Sequence, residues 1–334
     1  MLQKTCIQDG LLGKSILRME YIVFDLEWNQ SSQKKYEVPG LPFEVIEIGG
    51  VKINSQGVMV GEFDELIKPT VYQEMHDITS RLIHLKMDEL NRGRPFKQVA
   101  GEFLDWCGKE PIFCTWGSLD LVELQRNLEY YHMPLLGEGP FPYLDVQKLY
   151  ALSTGDGRAR KSLEHVVDEL NMEKDIPFHR AFSDAYYTAK VFLHLLQACP
   201  EILAYVSYDV YSPPADRASE VKVDFPTYQK YISRVFPDKQ AAFKDREVAS
   251  CKCYLCHRNL RKRVKWFSQN GRYYVCLAHC SEHGFFKGKN RIHKAGDGVF
   301  MVKTTKRITD SQAEEIIKKQ EHLKSLKKKK NAED

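Results

Sequence analysis

The sequence predicts an α/β protein built on a mixed sheet flanked by helices, followed by a small basic domain rich in cysteine. Three observations carry this. Three apolar strand candidates succeed one another near the N-terminus, and short apolar strands then alternate with segments of helical spacing as far as residue 200. Charge is split along the chain: residues 251–334 hold 21 Lys and Arg against 8 Asp and Glu, a net of +13, whereas the first 250 residues hold 28 against 37, a net of −9. The nine cysteines divide the same way, with Cys251, Cys253, Cys256, Cys276 and Cys280 close together and Cys6, Cys107, Cys114 and Cys199 scattered.

After an N-terminal lead (1–18), "YIVFDLEW" reads as a buried strand. "EVIEIGGVKI" and "VMVGEFDELIKP" read as two more, joined by a turn at "NSQG" and closed by Pro69. Phe96, Val99, Phe103 and Trp106 recur at threes and fours, which predicts a helix over "PFKQVAGEFLDWCG". "PIFCTWG" is a short strand, and "LDLVELQRNLEYY", "DVQKLYAL", "SLEHVVDEL" and "FSDAYYTAKVFLHLL" are helices. These complete a first domain, 19–200. Turn formers dominate 201–250, which reads as a linker with one helix, "TYQKYISRVF". A cysteine module (251–310) and a lysine-rich tail (311–334) follow. "MLQKTCIQDGLLGKSILRME" lacks a sustained apolar core and no stretch is apolar enough to span a bilayer, so no membrane association and a cytoplasmic location are expected.

The chemistry begins at the end of the first strand. Residues two apart in a strand share a face, so Asp25 and Glu27 project side by side. Two carboxylates at the end of an apolar run repel one another unless a cation lies between them, and Mg²⁺ or Mn²⁺ prefers such oxygen ligands. Alone, the pair is a weak signal. "CTWGSLD" then brings Asp120 to a helix start, where the plainer reading is an N-cap. "HRAFSDAYYTAK" puts His179 five residues before Asp184, in the first turn of another helix, where a carboxylate also suits the helix dipole.

In this order, D-x-E, W-G-x-x-D and H-x-A-x-x-D-A closely resemble the three motifs of the DEDDh 3′→5′ exonucleases, the group of RNase T and the proofreading subunit of DNA polymerase III. The short RNA-trimming ERI-type members and the sporulation-inhibitor relatives look nearest. The resemblance covers roughly residues 19–199 and implies an RNase H-like fold. It also implies two Mg²⁺ or Mn²⁺ ions about 4 Å apart around a scissile phosphate. By resemblance, Asp25 bridges both ions, Glu27 and Asp184 complete the water-activating site, Asp120 serves the second ion through water, and His179 takes the proton of the attacking water. Nucleoside 5′-monophosphates would leave one at a time from single-stranded RNA or short 3′ overhangs, with RNA favoured over DNA. Trp28 and Asn29 stand where many members place Thr, which alters the local contact to the terminal nucleotide. Competing readings are DNA trimming in repair or proofreading, and a regulatory member that works by protein contact.

The cysteine module offers Cys253-x-x-Cys256, then Cys276 and Cys280, a set that suits one tetrahedral structural Zn²⁺ in a zinc-ribbon or treble-clef-like arrangement. His279 or His283 could replace Cys280. A hairpin is expected between the pairs, turning at Asn270-Gly271. Arg261, Lys262, Arg263, Lys265 and Trp266 interleave cations with aromatics, as a single-strand nucleic-acid platform does. A protein partner for this module is the alternative.

Overall fold

Tyr21–Gln30 (β1) is a central strand, and its uninterrupted apolar start follows from that position. Tyr21 and Val23 face one core while Ile22, Phe24 and Leu26 face another, so both sides of the strand are covered. The computed structural model describes residues 20–333 apart from 84, 156–159 and 269. The N-terminal lead and Cys6 lie outside the described residues. The chain divides into two compact units: residues up to Leu136 with Phe141–Asp209, and Gly137–Pro140 with Val210 onward.

In the first unit the three expected strands, β1, Phe43–Ile53 (β2) and Met59–Leu66 (β3), form an antiparallel meander. Its turn closes with the Gly57 N–H donating to the Asn54 carbonyl at 3.0 Å. Asp77–Ile83 (α1), Met87–Leu90 (α2) and Phe96–Cys107 (α3) follow. Ile112–Thr115 (β4) and Pro142–Asp145 (β5) then add in parallel, and the short Ser207–Tyr208 (β6) closes the sheet, order β3-β2-β1-β4-β5-β6. Leu119–Tyr130 (α4) lies between β4 and β5 in sequence; Val146–Ser153 (α5), Leu163–Glu169 (α6) and Ala181–Ala198 (α7) follow β5. Helices α3 and α4 cover one face of the sheet, and α5, α6 and α7 cover the other.

The second unit is larger than the expected module. Val221–Phe225 (β7) and Tyr228–Ile232 (β8) precede Lys239–Lys244 (α8) and Arg246–Ala249 (α9); Arg261–Ser268 (β9), Tyr273–Cys280 (β10), Gly284–Ala295 (β11) and Gly298–Arg307 (β12) follow, then Asp310–Glu333 (α10). The strands make one antiparallel sheet, order β7-β8-β12-β11-β10-β9. The helix expected over "TYQKYISRVF" is therefore corrected to strand β8. Gln229 and Tyr231 are buried on one side while Tyr228 and Lys230 stay partly exposed, a two-residue period that pairing with β12 imposes. The β9–β10 hairpin forms as expected. The lysine-rich tail is helical and packs on the sheet through Ala313 and Ile316. Among the described residues no helix is long and apolar enough to cross a membrane.

Candidate active site and cysteine centre

Parallel pairing of β1 with β4 stops at Val23–Cys114, leaving the end of β1 without a partner on that side. The first turn of α4 enters there. Asp120, only 5% exposed, accepts hydrogen bonds from its own backbone N–H and that of Leu26, which ties it between Asp25 and Glu27. On the other side Asp25 lies opposite Gly49 of β2. A Cβ at Gly49 would sit 2.0 Å from the Phe182 nitrogen and 2.1 Å from the Ala181 carbonyl carbon. Glycine alone lets α7 lie directly on β2, and this contact carries Asp184 to Asp25.

One carboxylate oxygen each from Asp25, Glu27 and Asp184 lies within 4.8 Å of the others; Asp120 is not in this trio but repels Asp25. Burial, the largest cause at each, disfavours the charged form of all four acids. It raises Asp25 well above the carboxylate range, with further repulsion from Asp120, Asp184 and Glu27. Glu27 is pushed up to about 8, Asp120 to about 7 and Asp184 to about 6. Carboxylates that resist ionisation as a group suit a hard cation, which would take those oxygens and relieve the repulsion.

His179 is exposed on the turn before α7 with φ 65°, a left-handed conformation that histidine tolerates better than bulky residues. Its backbone N–H donates to Asp184 Oδ1 at 3.3 Å, so the turn and the carboxylate fix each other. The imidazole itself faces water.

Two residues beside this centre escaped the sequence reading. Glu47, fully buried, lies opposite Glu27 across a β-bulge and takes a fork from Arg180, with Nε at 3.0 Å and Nη2 at 2.7 Å from Oε1. The Ala181 N–H donates to Glu47 Oε2 at 3.3 Å. The pair pins the N-terminus of α7 to the sheet. An acid inside the apolar run "VIEIGGV" was the available signal. Asn29 also braces the framework, because its amide donates to the carbonyls of Tyr72 and Glu74 and its oxygen accepts from the His76 N–H. Trp28 packs against Phe43.

In the second unit, Cys253, Cys256, Cys280 and His283 converge. His283 Nδ1 is 3.6 Å from the sulfurs of Cys253 and Cys280, and Cys256 is 3.6 Å from Cys280. Zn–S bonds of about 2.3 Å put tetrahedral thiolates about 3.8 Å apart, so these ligands fit zinc. His257, at φ 58°, turns the knuckle, its N–H donating to the Cys253 carbonyl at 2.7 Å. Burial works against the Cys280 thiolate, but the N–H groups of Glu282 and His283 and the His283 ring outweigh it and bring Cys280 to about 6.

Cys276 is not in this group. Four residues from Cys280 along β10, it stands about 13 Å away at strand rise and pairs instead with Cys251, sulfur to sulfur 3.5 Å. His283 takes its place from the turn after β10. His279 projects to the opposite side of the strand and meets Phe285 edge-on. The cations Arg261, Lys262, Arg263 and Lys265 lie along β9; Trp266 is half-buried, its Nε1 donating to the Ala249 carbonyl at 2.7 Å.

Residues 22–192 match the exonuclease family model, RNase_T. The chain belongs to the exonuclease family. The match runs from β1 to α7 and encloses Asp25, Glu27, Asp120, His179 and Asp184, while the cysteine centre lies beyond it. A PolC-type DNA polymerase III of Thermotoga petrophila is 32% identical over 206 residues, 58% of this chain and 14% of that protein. Human 3′-5′ exoribonuclease 1 is 22% identical over 172 residues, 48% of each chain. Among solved structures, the nuclease domain of 3′hExo, a DEDDh family member bound to rAMP, superposes with a TM-score of 0.48 at 19% identity, covering 55% of this chain and 94% of that one. The chain thus spans less than half of either curated relative. The expected RNase H-like exonuclease fold holds, with its mixed sheet between helical layers.

Proposed function

We propose that this exonuclease removes nucleoside 5′-monophosphates from the 3′ end of single-stranded RNA or short 3′ overhangs, in the cytoplasm, by two-metal hydrolysis. The observation that supports it most is the convergence of Asp25, Glu27 and Asp184 within 4.8 Å, with Asp120 hydrogen-bonded at the same strand end. Asp25 would be shared by two Mg²⁺ or Mn²⁺ ions, Glu27 and Asp184 would hold one, and Asp120 would hold the other through water. Bound there, the cations supply activation of the attacking water and neutralisation of the leaving 3′-oxygen. His179 accepts the water's proton: its ring is exposed on a turn tethered to Asp184 by the backbone, within the centre yet open to substrate. Glu47 and Arg180 keep the helix that carries Asp184 in place. In the second unit Cys253, Cys256, Cys280 and His283 would hold one structural Zn²⁺.

An RNA substrate is favoured because the exoribonuclease relative is matched over 48% of its length, against 14% for the polymerase. The higher identity of the polymerase, 32%, favours DNA trimming as the second reading. Matched RNA and DNA oligonucleotides labelled at the 5′ end, incubated with Mg²⁺, Mn²⁺ or neither, separate the two. A ladder shortening from the 3′ end on RNA, absent without metal, is expected. No shortening of either strand in Mg²⁺ or Mn²⁺ would overturn the exonuclease reading.

A further inference from the structure

Strand β9 is an edge of the second unit's sheet, and two hollows are lined by its residues. One hollow of about 630 Å³ is lined by Phe243, Trp266, Tyr274, Lys262 and Lys265. A second, also about 630 Å³, shares Lys265, Trp266 and Tyr274 and adds Arg263, Phe267 and Lys324. Among the described residues lining either hollow there is no Asp or Glu. Among the described residues the unit's salt bridges run through Arg217, Lys222, Arg234, Lys252, His257 and Arg258, and none of them involves the four cations of the hollows.

The aromatics are fixed before any ligand arrives. Trp266 is anchored through the Ala249 carbonyl, and Phe243 packs 4.8 Å from Tyr274 and 6.0 Å from Trp266. Gly288 makes room for the inner end of the indole, since a Cβ there would lie 2.8 Å from its Cη2 atom. Rigid rings present stacking faces without an entropy cost on binding, and the cations beside them meet phosphates.

We propose that the two hollows form one groove for a single-stranded nucleic acid, with bases against Phe243, Trp266 and Tyr274 and phosphates against Lys262, Arg263, Lys265 and Lys324. The substrate class rests on the exonuclease reading; the groove adds a hold on the strand separate from the acidic centre.

The test is binding of the full chain to a fluorescent single-stranded RNA blocked at its 3′ end, followed by anisotropy over a salt series without added Mg²⁺ or Mn²⁺. Lys262→Gln, Lys265→Gln and Lys324→Gln combined should weaken binding tenfold or more and flatten the log–log salt slope by about 2, at about 0.7 for each phosphate no longer neutralised. Tyr274→Leu, which keeps the packing against Phe243, should cost about fivefold with the slope unchanged. Should the triple variant not fold, the exposed Lys265→Gln alone must still lower the slope by about 0.7. Wild-type affinity and slope in these variants would overturn the groove and leave the open edge of β9 to a protein strand. Altered binding in a protein that trims nothing would support the groove and sink the active-site reading; unaltered binding in a protein that trims would do the reverse.

Discussion

The acidic centre and the cysteine centre each gather side chains that could hold a cation, yet they are opposites in construction. Three carboxylates and a neighbouring fourth crowd at a strand end left unpaired on one side, each raised in pKa. Three thiols and one imidazole instead close on a single point, with a hydrogen-bonded knuckle behind them. Oxygen ligands fewer than a hard ion needs leave positions for water and phosphate. Three thiolates and an imidazole around one zinc would leave none, as in structural sites. An open centre is unstable in itself and is relieved by what it binds; a closed one stabilises the fold around it.

The contrast is sharpest in activity. Asp25→Ala should abolish trimming of a 5′-labelled oligonucleotide with the fold intact by circular dichroism, and retained turnover would break the open-site assignment. His179→Ala should lose about 10²–10⁴-fold in rate while Mn²⁺ binding, read by calorimetry, persists. Loss of one thiol tests the other pole. Cys253→Ser should destabilise the second unit by about 5 kcal/mol, less than in an isolated finger because the sheet has its own cores, with exchange protection lost around the knuckle and kept in the first unit. Arg180→Ala should cost about 3 kcal/mol in urea denaturation, since it leaves Glu47 buried without its partner, and Arg180→Lys should recover part of that.

The smallest effect is on pH dependence. Glu27, Asp120 and Asp184 have folded pKa values of about 8, 7 and 6, raised from ordinary values of 4.5, 3.8 and 3.8. Raised acids favour the folded state at low pH, so protein freed of Mg²⁺ and Mn²⁺ should lose stability as pH climbs from about 4 to 8. Asp25→Asn should regain about 1–2 kcal/mol at pH 8 and nothing near pH 4. Added Mn²⁺ should flatten the wild-type curve. A curve that rises with pH would contradict the repulsion described for the acidic centre.

What could be read from the residues was what local pattern encodes. The apolar run of β1, the helical spacing at Phe96, Val99 and Phe103, and the order of the acidic motifs needed no tertiary knowledge. The misreadings came where a strand stood in for something else. Cys276 and Cys280 look like a ligand pair in sequence, but an extended backbone separates them, and His283 from the following turn completes the set. "TYQKYISRVF" mixes polar and apolar residues in a way either period can fit, and only pairing with β12 decides it. Glu47 and Arg180 lie far apart in sequence, and their ion pair exists only because β2 and α7 come into contact.

That contact has a mechanical corollary. With backbone atoms 2.0 Å from where a Cβ of Gly49 would lie, α7 and β2 touch at bare main chain. There is no cushion of side chain to compress, so strand and helix travel as one piece. The helix that carries Asp184 is thereby seated on the backbone of β2, next to the strand that carries Asp25.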